Sequence, residues 1–219
     1  MDGVIIDSID FHYMAWRDYM RKWGVELTKS YFMNDMFGTP GREAIRHFIN
    51  EEHTYESVLQ HCDNVDTEFR RIVAAYPVVE PVSGFKKFID QAKSAGFKTA
   101  LATSAPFENV KVVFERFGIE KYFDVVVTSN DFIHGKPHPE VYLTALKRLE
   151  FKADASVVFE DSLAGITSGR AAGIDVIGVT TSQTSDTLKK AGAFMCINDF
   201  SDFKINDLSD IMNRQPRQV

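Results

Sequence analysis

Two neighbouring acids, Glu160 and Asp161, close a short apolar run (SVVFE) and are followed at once by a hydroxyl, Ser162. Lys136 stands in the loop His134-Gly135-Lys136-Pro137, Thr103 and Ser104 close a second apolar run (TALAT), and Asp2-Gly3 precedes Val4-Ile5-Ile6-Asp7-Ser8. Hard oxygen ligands with a lysine and a hydroxyl beside them are the parts of a magnesium and phosphate site. Each part alone has a plainer reading. An acid or serine at a strand end serves as the N-cap of the next helix, and Gly-Lys-Pro or Asp-Gly makes a solvated turn. The signal lies in their order, because all fall at the same end of successive strands, where open parallel sheets bind ligands.

The elements that must position them are legible from residue 83 onward. Runs at 99–103, 123–128, 156–160, 175–179 and 193–197 are continuous in apolar residues, as expected of strands covered on both faces. Amphipathic stretches at 85–95, 107–117, 139–149, 162–172 and 184–191 alternate with them, and four of these five end at a glycine: Gly96, Gly118, Gly173 and Gly192. Glycine after the last helical residue is the left-handed stop signal. Strand and helix in alternation predict an α/β fold with a doubly wound, Rossmann-like parallel sheet.

Residues 8–77 read as a helical insertion. Trp16, Met20 and Trp23 recur at helical spacing before Gly24, and Ile45, Phe48 and Ile49 form the stripe of a helix that Thr39 and Pro40 would start. Val58, Cys62, Val65, Phe69, Ile72 and Tyr76 mark one long amphipathic helix. A stretch with two prolines, 77–83, reads as the return linker. The expected organisation is therefore an α/β core of residues 1–7 and 78–219 with an all-helical cap at 8–77.

The whole chain has 219 residues, 44% apolar and 26% charged, with 18 phenylalanines, a composition that excludes disordered and fibrous classes. A formal net charge of -6 argues against nucleic acid or an anionic membrane as partner. The two cysteines, Cys62 and Cys196, form no C-x-x-C pair, which points to a reducing compartment. No apolar run approaches a membrane span, and the first residues lack the pattern of a signal peptide. A cytoplasmic monomer acting on a small molecule is the expectation.

MDGVIIDS, ALATS, GKPHPEVY and VVFEDSLAG, in this order and spacing, resemble the four motifs of the haloacid dehalogenase superfamily. The helical insertion after the first motif resembles the subgroup that contains β-phosphoglucomutase and many sugar-phosphate phosphatases. The resemblance covers essentially the whole chain. It implies that Asp2 is the general acid and base, with its main-chain carbonyl on magnesium. By the same resemblance Thr103 and backbone N–H groups around Ser104 hold the transferring phosphoryl group, and Lys136 neutralises charge. Glu160 and Asp161, with Asp2, would hold Mg²⁺. A crowd of carboxylates around a phosphate dianion needs such counter-charge.

One position departs from the pattern. The family nucleophile is an aspartate two residues before the acid, and here only Met1 precedes Asp2. The nucleophile and the central strand that carries it are therefore expected upstream of Met1. That strand belongs between the runs ending at Thr103 and Glu160. Neighbouring strands lie about 4.8 Å apart, so an unoccupied channel roughly 10 Å across is expected between those two runs.

In the insertion, His12 and Trp16 match the cap helix of β-phosphoglucomutase, and Arg42, within the segment from Gly38 to Glu43, falls at a substrate-contacting position of the specificity loop. The mutase's later cap lysine has no counterpart between Asp63 and Arg71. A Mg²⁺-dependent phosphohydrolase acting on a sugar phosphate through an aspartyl-phosphate is the leading expectation. A β-phosphoglucomutase and a non-catalytic phosphometabolite-binding protein remain as alternatives. A dinucleotide fold lacks its G-x-G-x-x-G, and Pro137 spoils a P-loop. A zinc site built from His47, His53, His61 and Cys62 is set aside. So is one built from His134 and His138, because the prolines there break helical i, i+4 geometry.

Overall fold

The computed structural model describes residues 1–36, 41–49 and 54–212. Thr39 and Pro40, expected to start a helix, Gly38 of the specificity loop, and His53 lie outside the described residues. The chain divides into two compact units, one of residues 8–79 and one of residues 1–7 and 80–219.

The helical unit holds α1 (Ile9–Arg21), α2 (Gly41–Phe48) and α3 (Tyr55–Ala75), with a single turn at Lys29–Tyr31 and a π-helical turn at Phe32–Met36. Thr54 begins α3 as a capping box: its side chain accepts from Ser57 N–H, and the Ser57 hydroxyl accepts from Thr54 N–H. Val58, Val65, Phe69 and Ile72 are buried along one face, as their spacing predicts, whereas Tyr76 is exposed. α1 packs against α3, and the buried Tyr19 hydroxyl meets His61 Nδ1 at 2.6 Å. Trp23 departs from the predicted stripe. Helix α1 ends at Arg21, so Trp23 sits on the following turn, exposed, with its ring edge-on to His61.

The α/β unit begins with the turn at Met1–Ile6, where Gly3 N–H donates to Ile6 C=O at 2.8 Å and Ile5 N–H to Met1 C=O at 2.7 Å. The end of the return linker pairs with this turn: Val82 N–H donates to Ile5 C=O at 2.9 Å. Then follow α4 (Phe85–Ser94), β1 (Ala100–Ala102), α5 (Phe107–Phe117), β2 (Val125–Val127), α6 (Glu140–Leu149) and β3 (Val157–Glu160). α7 (Leu163–Ala171), β4 (Asp175–Val179), α8 (Ser185–Lys190), β5 (Met195–Ile197) and α9 (Ile205–Met212) complete it. Every expected strand is present, most of them trimmed at the ends.

The strand pairings among the described residues are parallel, in two groups, β1-β2 and β3-β4-β5, and Ile6 makes an isolated antiparallel bridge to Pro81. Among the described residues β1 pairs only with β2, and β3 only with β4. Between β1 and β3 lies a cavity of about 430 Å³, lined by both strands and by apolar groups including Met1, Ile5, Phe88 and Leu146. This is the channel expected from the sheet order. Helix α6 packs on β1 and β2, and α7 on β3 and β4, and one core of Val127, Val141, Tyr142, Ala172 and Ile174, with Val158 of β3 against it, runs across the two groups.

The helix ends follow the glycine rule and show one exception to it. Gly118 closes α5 in the left-handed region at φ 65°. Helix α6 has no glycine there, and Glu150 takes the same conformation at φ 62°. A side chain in this region costs about 1 kcal/mol or more. Exposed Glu150→Gly is therefore expected to raise stability by about 1 kcal/mol in urea unfolding.

Asp124 fastens the entries of β1 and β2. Its carboxylate accepts from Lys93 Nζ at 2.5 Å, Thr99 N–H at 2.9 Å and Lys98 Nζ at 3.2 Å. The Lys93 hydrogen bond, then the Thr99 amide, hold its carboxyl well below the usual range. A depressed folded-state pKa stabilises above the unfolded value near 4 and loses that contribution as pH falls through the folded one. Asp124→Asn should thus lower stability by ~1 kcal/mol at pH 7, with the gap to wild type closing in urea titrations near pH 2.

Candidate active site

Four segments of the α/β unit bring titratable side chains to the carboxyl ends of β1 and β3. Glu160 is the last residue of β3 and is buried, as are Asp161 and Thr103. Ser162 caps α7 by accepting from Gly165 N–H, the role its position predicts.

Glu160 is the anchor. Its Oε1 accepts from Lys136 Nζ, and from the Tyr142 hydroxyl at 2.7 Å. Its Oε2 accepts from Asp161 N–H at 3.1 Å, Ser162 N–H at 3.3 Å and Ser162 Oγ at 3.1 Å. Lys136 is nearly buried, lies 4.9 Å over the Tyr142 ring, and reaches Ala102 C=O at 3.5 Å. One ammonium thus touches the ends of both β1 and β3.

The two adjacent acids respond to this setting in opposite ways. Burial pushes Glu160 up, but the Lys136 charge and hydrogen bond and the Tyr142 hydroxyl outweigh it and bring its pKa to about 2. Burial, then the neighbouring Glu160 charge, raise Asp161 to about 6; the Ser182 hydroxyl and the terminal ammonium of Met1 pull the other way and do not suffice. The same burial, with Glu160 beside it, pushes the Tyr142 phenol upward and keeps it a donor. Glu160 is therefore an ionised, fully engaged carboxylate, and Asp161 is the acid whose charge lacks compensation.

Main-chain close approach gives both acids their places. A Cβ at Gly165 would lie 2.0 Å from the Glu160 carboxylate carbon, and one at Gly3 would lie 1.9 Å from Asp161 Oδ2. Gly3 also has φ 65°. Beyond β4, Thr181 Oγ1 donates to Gly3 C=O at 2.6 Å, and Ser182 Oγ donates to Asp161 C=O at 2.8 Å. These hydroxyls tie the first turn of the chain to the acidic pair.

A hard divalent cation fits this donor set. Burial, with the negative charge that the Glu160 and Asp2 carboxylates add around it, raises the Asp161 pKa, which a cation would reverse. Glu160, expected beside Asp161 as a metal ligand, carries five donors on its two oxygens in this structure.

Asp2, Thr103, Ser104, Lys136, Glu160 and Asp161 all belong to the α/β unit, and His12 and Arg42 to the helical unit. Thr103 is buried, with its Oγ1 accepting from Ala105 N–H at 3.1 Å, and Ser104 is exposed. The His12 ring stacks on Phe69 at 4.3 Å, and exposed Arg42 lies 5.5 Å over the Tyr55 ring. Sequence reasoning missed Tyr142, Thr181 and Ser182. The strand-end rule that found Thr103 would have reached Thr181 and Ser182 if applied after β4, but Tyr142 sits inside α6 and carried no such signal.

Residues 1–179 match the family described as haloacid dehalogenase-like hydrolase. The chain is 33% identical over 195 residues to the phosphorylated carbohydrates phosphatase of Thermotoga maritima, covering 88% of this chain and 89% of that one. It is 26% identical over 191 residues to the β-phosphoglucomutase of Bacillus subtilis, covering 84% and 82%. A HAD hydrolase of family IA, variant 3, from Entamoeba histolytica shares its fold at a TM-score of 0.90 and 24% identity, covering 98% and 97%.

Gly165→Ala is expected to lower stability by about 1–3 kcal/mol, because the methyl group must displace the buried Glu160 carboxylate. Gly135→Ala, where the nearest neighbour would be 3.9 Å away, serves as the control in the same thermal unfolding series.

Proposed function

Because the chain belongs to the haloacid dehalogenase-like hydrolase family, we propose that it is a Mg²⁺-dependent phosphohydrolase of a small phosphorylated metabolite, a sugar phosphate first of all. The observation that carries this reading is the buried Lys136–Glu160 pair beside undercompensated Asp161, at the carboxyl ends of β1 and β3. A fixed ammonium next to a carboxylate that needs a cation is what a phosphate dianion requires at the moment it is transferred.

In this scheme an aspartate carboxylate attacks phosphorus, the ester P–O bond breaks, and Asp2 gives its proton to the leaving alcohol. Water then cleaves the aspartyl-phosphate, with Asp2 taking the proton. Thr103 and the N–H groups around Ser104 receive the phosphoryl oxygens, and Lys136 balances their charge. Asp161 and the Asp2 main-chain carbonyl would hold Mg²⁺, which supplies charge neutralisation at the phosphoryl group. Glu160 contributes by fixing Lys136. His12 and Arg42 of the helical unit select the alcohol portion of the substrate.

We place the nucleophile on an extended segment ahead of Met1 that enters the channel between β1 and β3. Support comes from the two strands, each paired on one side only, and from the largely apolar walls of the cavity between them. A parallel strand there would satisfy both edges. Phosphatase is preferred to mutase because no lysine occurs between Asp63 and Arg71. His12 favours the mutase as the second reading.

The test is Mg²⁺-dependent phosphate release from a panel of sugar phosphates by the protein that includes the upstream strand. Asp161→Asn should reduce kcat by about 100-fold or more with an unchanged circular dichroism spectrum. Turnover like wild type at saturating Mg²⁺ would overturn the role of Asp161. Isomerised glucose phosphate without phosphate release would establish the mutase, and binding without turnover the non-catalytic alternative. Equal activity from residues 1–219 alone would overturn the upstream nucleophile.

A further inference from the structure

The loop that carries Lys136 holds a second set of donors that the scheme above leaves unused. His134, His138 and Glu140 bring one ligand atom each to within 4.8 Å of one another, and no other such trio of His, Cys, Asp or Glu occurs among the described residues. His134 Nδ1 is 2.8 Å from Glu140 Oε2, and His138 Nδ1 is 3.8 Å from the same oxygen. The two imidazole rings are 4.7 Å apart between centroids. Prolines 137 and 139 do exclude a helical pairing of these histidines, but a turn gathers them instead, with His138 N–H donating to Gly135 C=O at 3.0 Å.

The trio is held in place by the main chain. Glu140 Oε1 accepts from Ile133 N–H at 2.9 Å and Oε2 from His134 N–H at 3.0 Å, so its carboxylate is oriented before any ligand arrives. Ser168 Oγ fixes the His138 carbonyl at 2.7 Å from the side of α7. Both imidazoles face solvent, with side chains 64% and 51% exposed, which leaves coordination positions open to water. Tetrahedral zinc with bonds of about 2.0–2.1 Å sets its ligand atoms roughly 3.3 Å apart. The observed separations of 2.8 and 3.8 Å bracket that value, and His138 Nδ1 would exchange its hydrogen bond from Glu140 N–H, 3.3 Å away, for the ion.

We propose that His134, His138 and Glu140 form a binding site for a borderline divalent transition-metal ion of the zinc class, distinct from the oxygen site at Asp161. Two imidazoles and a carboxylate with open positions suit Zn²⁺, Co²⁺ or Ni²⁺, whereas Mg²⁺ and Ca²⁺ prefer all-oxygen sets. Lys136 lies between the two histidines in sequence, so an ion held there cross-links the loop that presents the ammonium to Glu160. The inference stands independently of the phosphohydrolase reading, since binding is measured without turnover.

The experiment titrates Zn²⁺ or Co²⁺ into the protein in the presence of millimolar Mg²⁺, which occupies hard-oxygen sites. One equivalent should bind, X-ray absorption should show imidazole scattering, and H134A/H138A should weaken binding at least tenfold. D161N should bind as wild type does. H138A alone removes a solvent-facing ring and serves if the double variant misfolds; it too should weaken binding. Undiminished binding in both histidine variants, loss of binding in D161N, or no binding below millimolar metal would each overturn the proposal.

Discussion

A buried carboxylate can accept about four good hydrogen bonds, and five donors from three parts of the chain crowd the two oxygens of Glu160. An isolated carboxylate in such a place would be driven to protonate. Here Lys136 supplies the charge, Tyr142 a hydroxyl, and the start of α7 two amides and a serine. Removing one partner would strand the others, so the group behaves as one object. Its members come from the loop after β2, from α6 and from the end of β3, which makes it the link between the two strand groups at their functional ends.

The same link explains the asymmetry of the acidic pair. Because Lys136 and Tyr142 are committed to Glu160, burial and repulsion outweigh what the Ser182 hydroxyl and the Met1 ammonium give Asp161. That inequality distinguishes a site that needs a cation from two carboxylates that merely lie side by side. Gly3 and Gly165 make the arrangement possible, since any side chain at either position would occupy the volume that a carboxylate now fills.

Much of this was legible in the sequence, and the reasons are physical. Parallel strands buried on both faces leave continuous apolar runs, and helix stops leave glycines, so β1–β5 and the helices between them could be placed from local pattern alone. The strand-end rule located Thr103, Lys136, Glu160 and Asp161, because topology puts carboxyl ends on one edge. What stayed hidden depends on distances between remote residues. Tyr142 looks like one more apolar position of an amphipathic helix until the Glu160 carboxylate is placed 2.7 Å from its hydroxyl. Trp23 fitted a helical spacing but fell beyond the end of α1, and the division of labour between Glu160 and Asp161 follows from a hydrogen-bond count that no spacing encodes. The gathering of His134, His138 and Glu140 was hidden for the same reason: proline excludes a helix but not a turn.

The channel between β1 and β3 also bears on how the α/β unit breathes. Cooperativity in a sheet travels along ladder hydrogen bonds, and here the ladder is interrupted. The two strand groups are nonetheless coupled, through the apolar core that Val127, Tyr142, Ile174 and Val158 share and through the contacts of one ammonium and one phenol with Glu160. A strand paired to both facing edges would carry the ladder across that core and join the two groups in a single block protected from exchange with solvent deuterium.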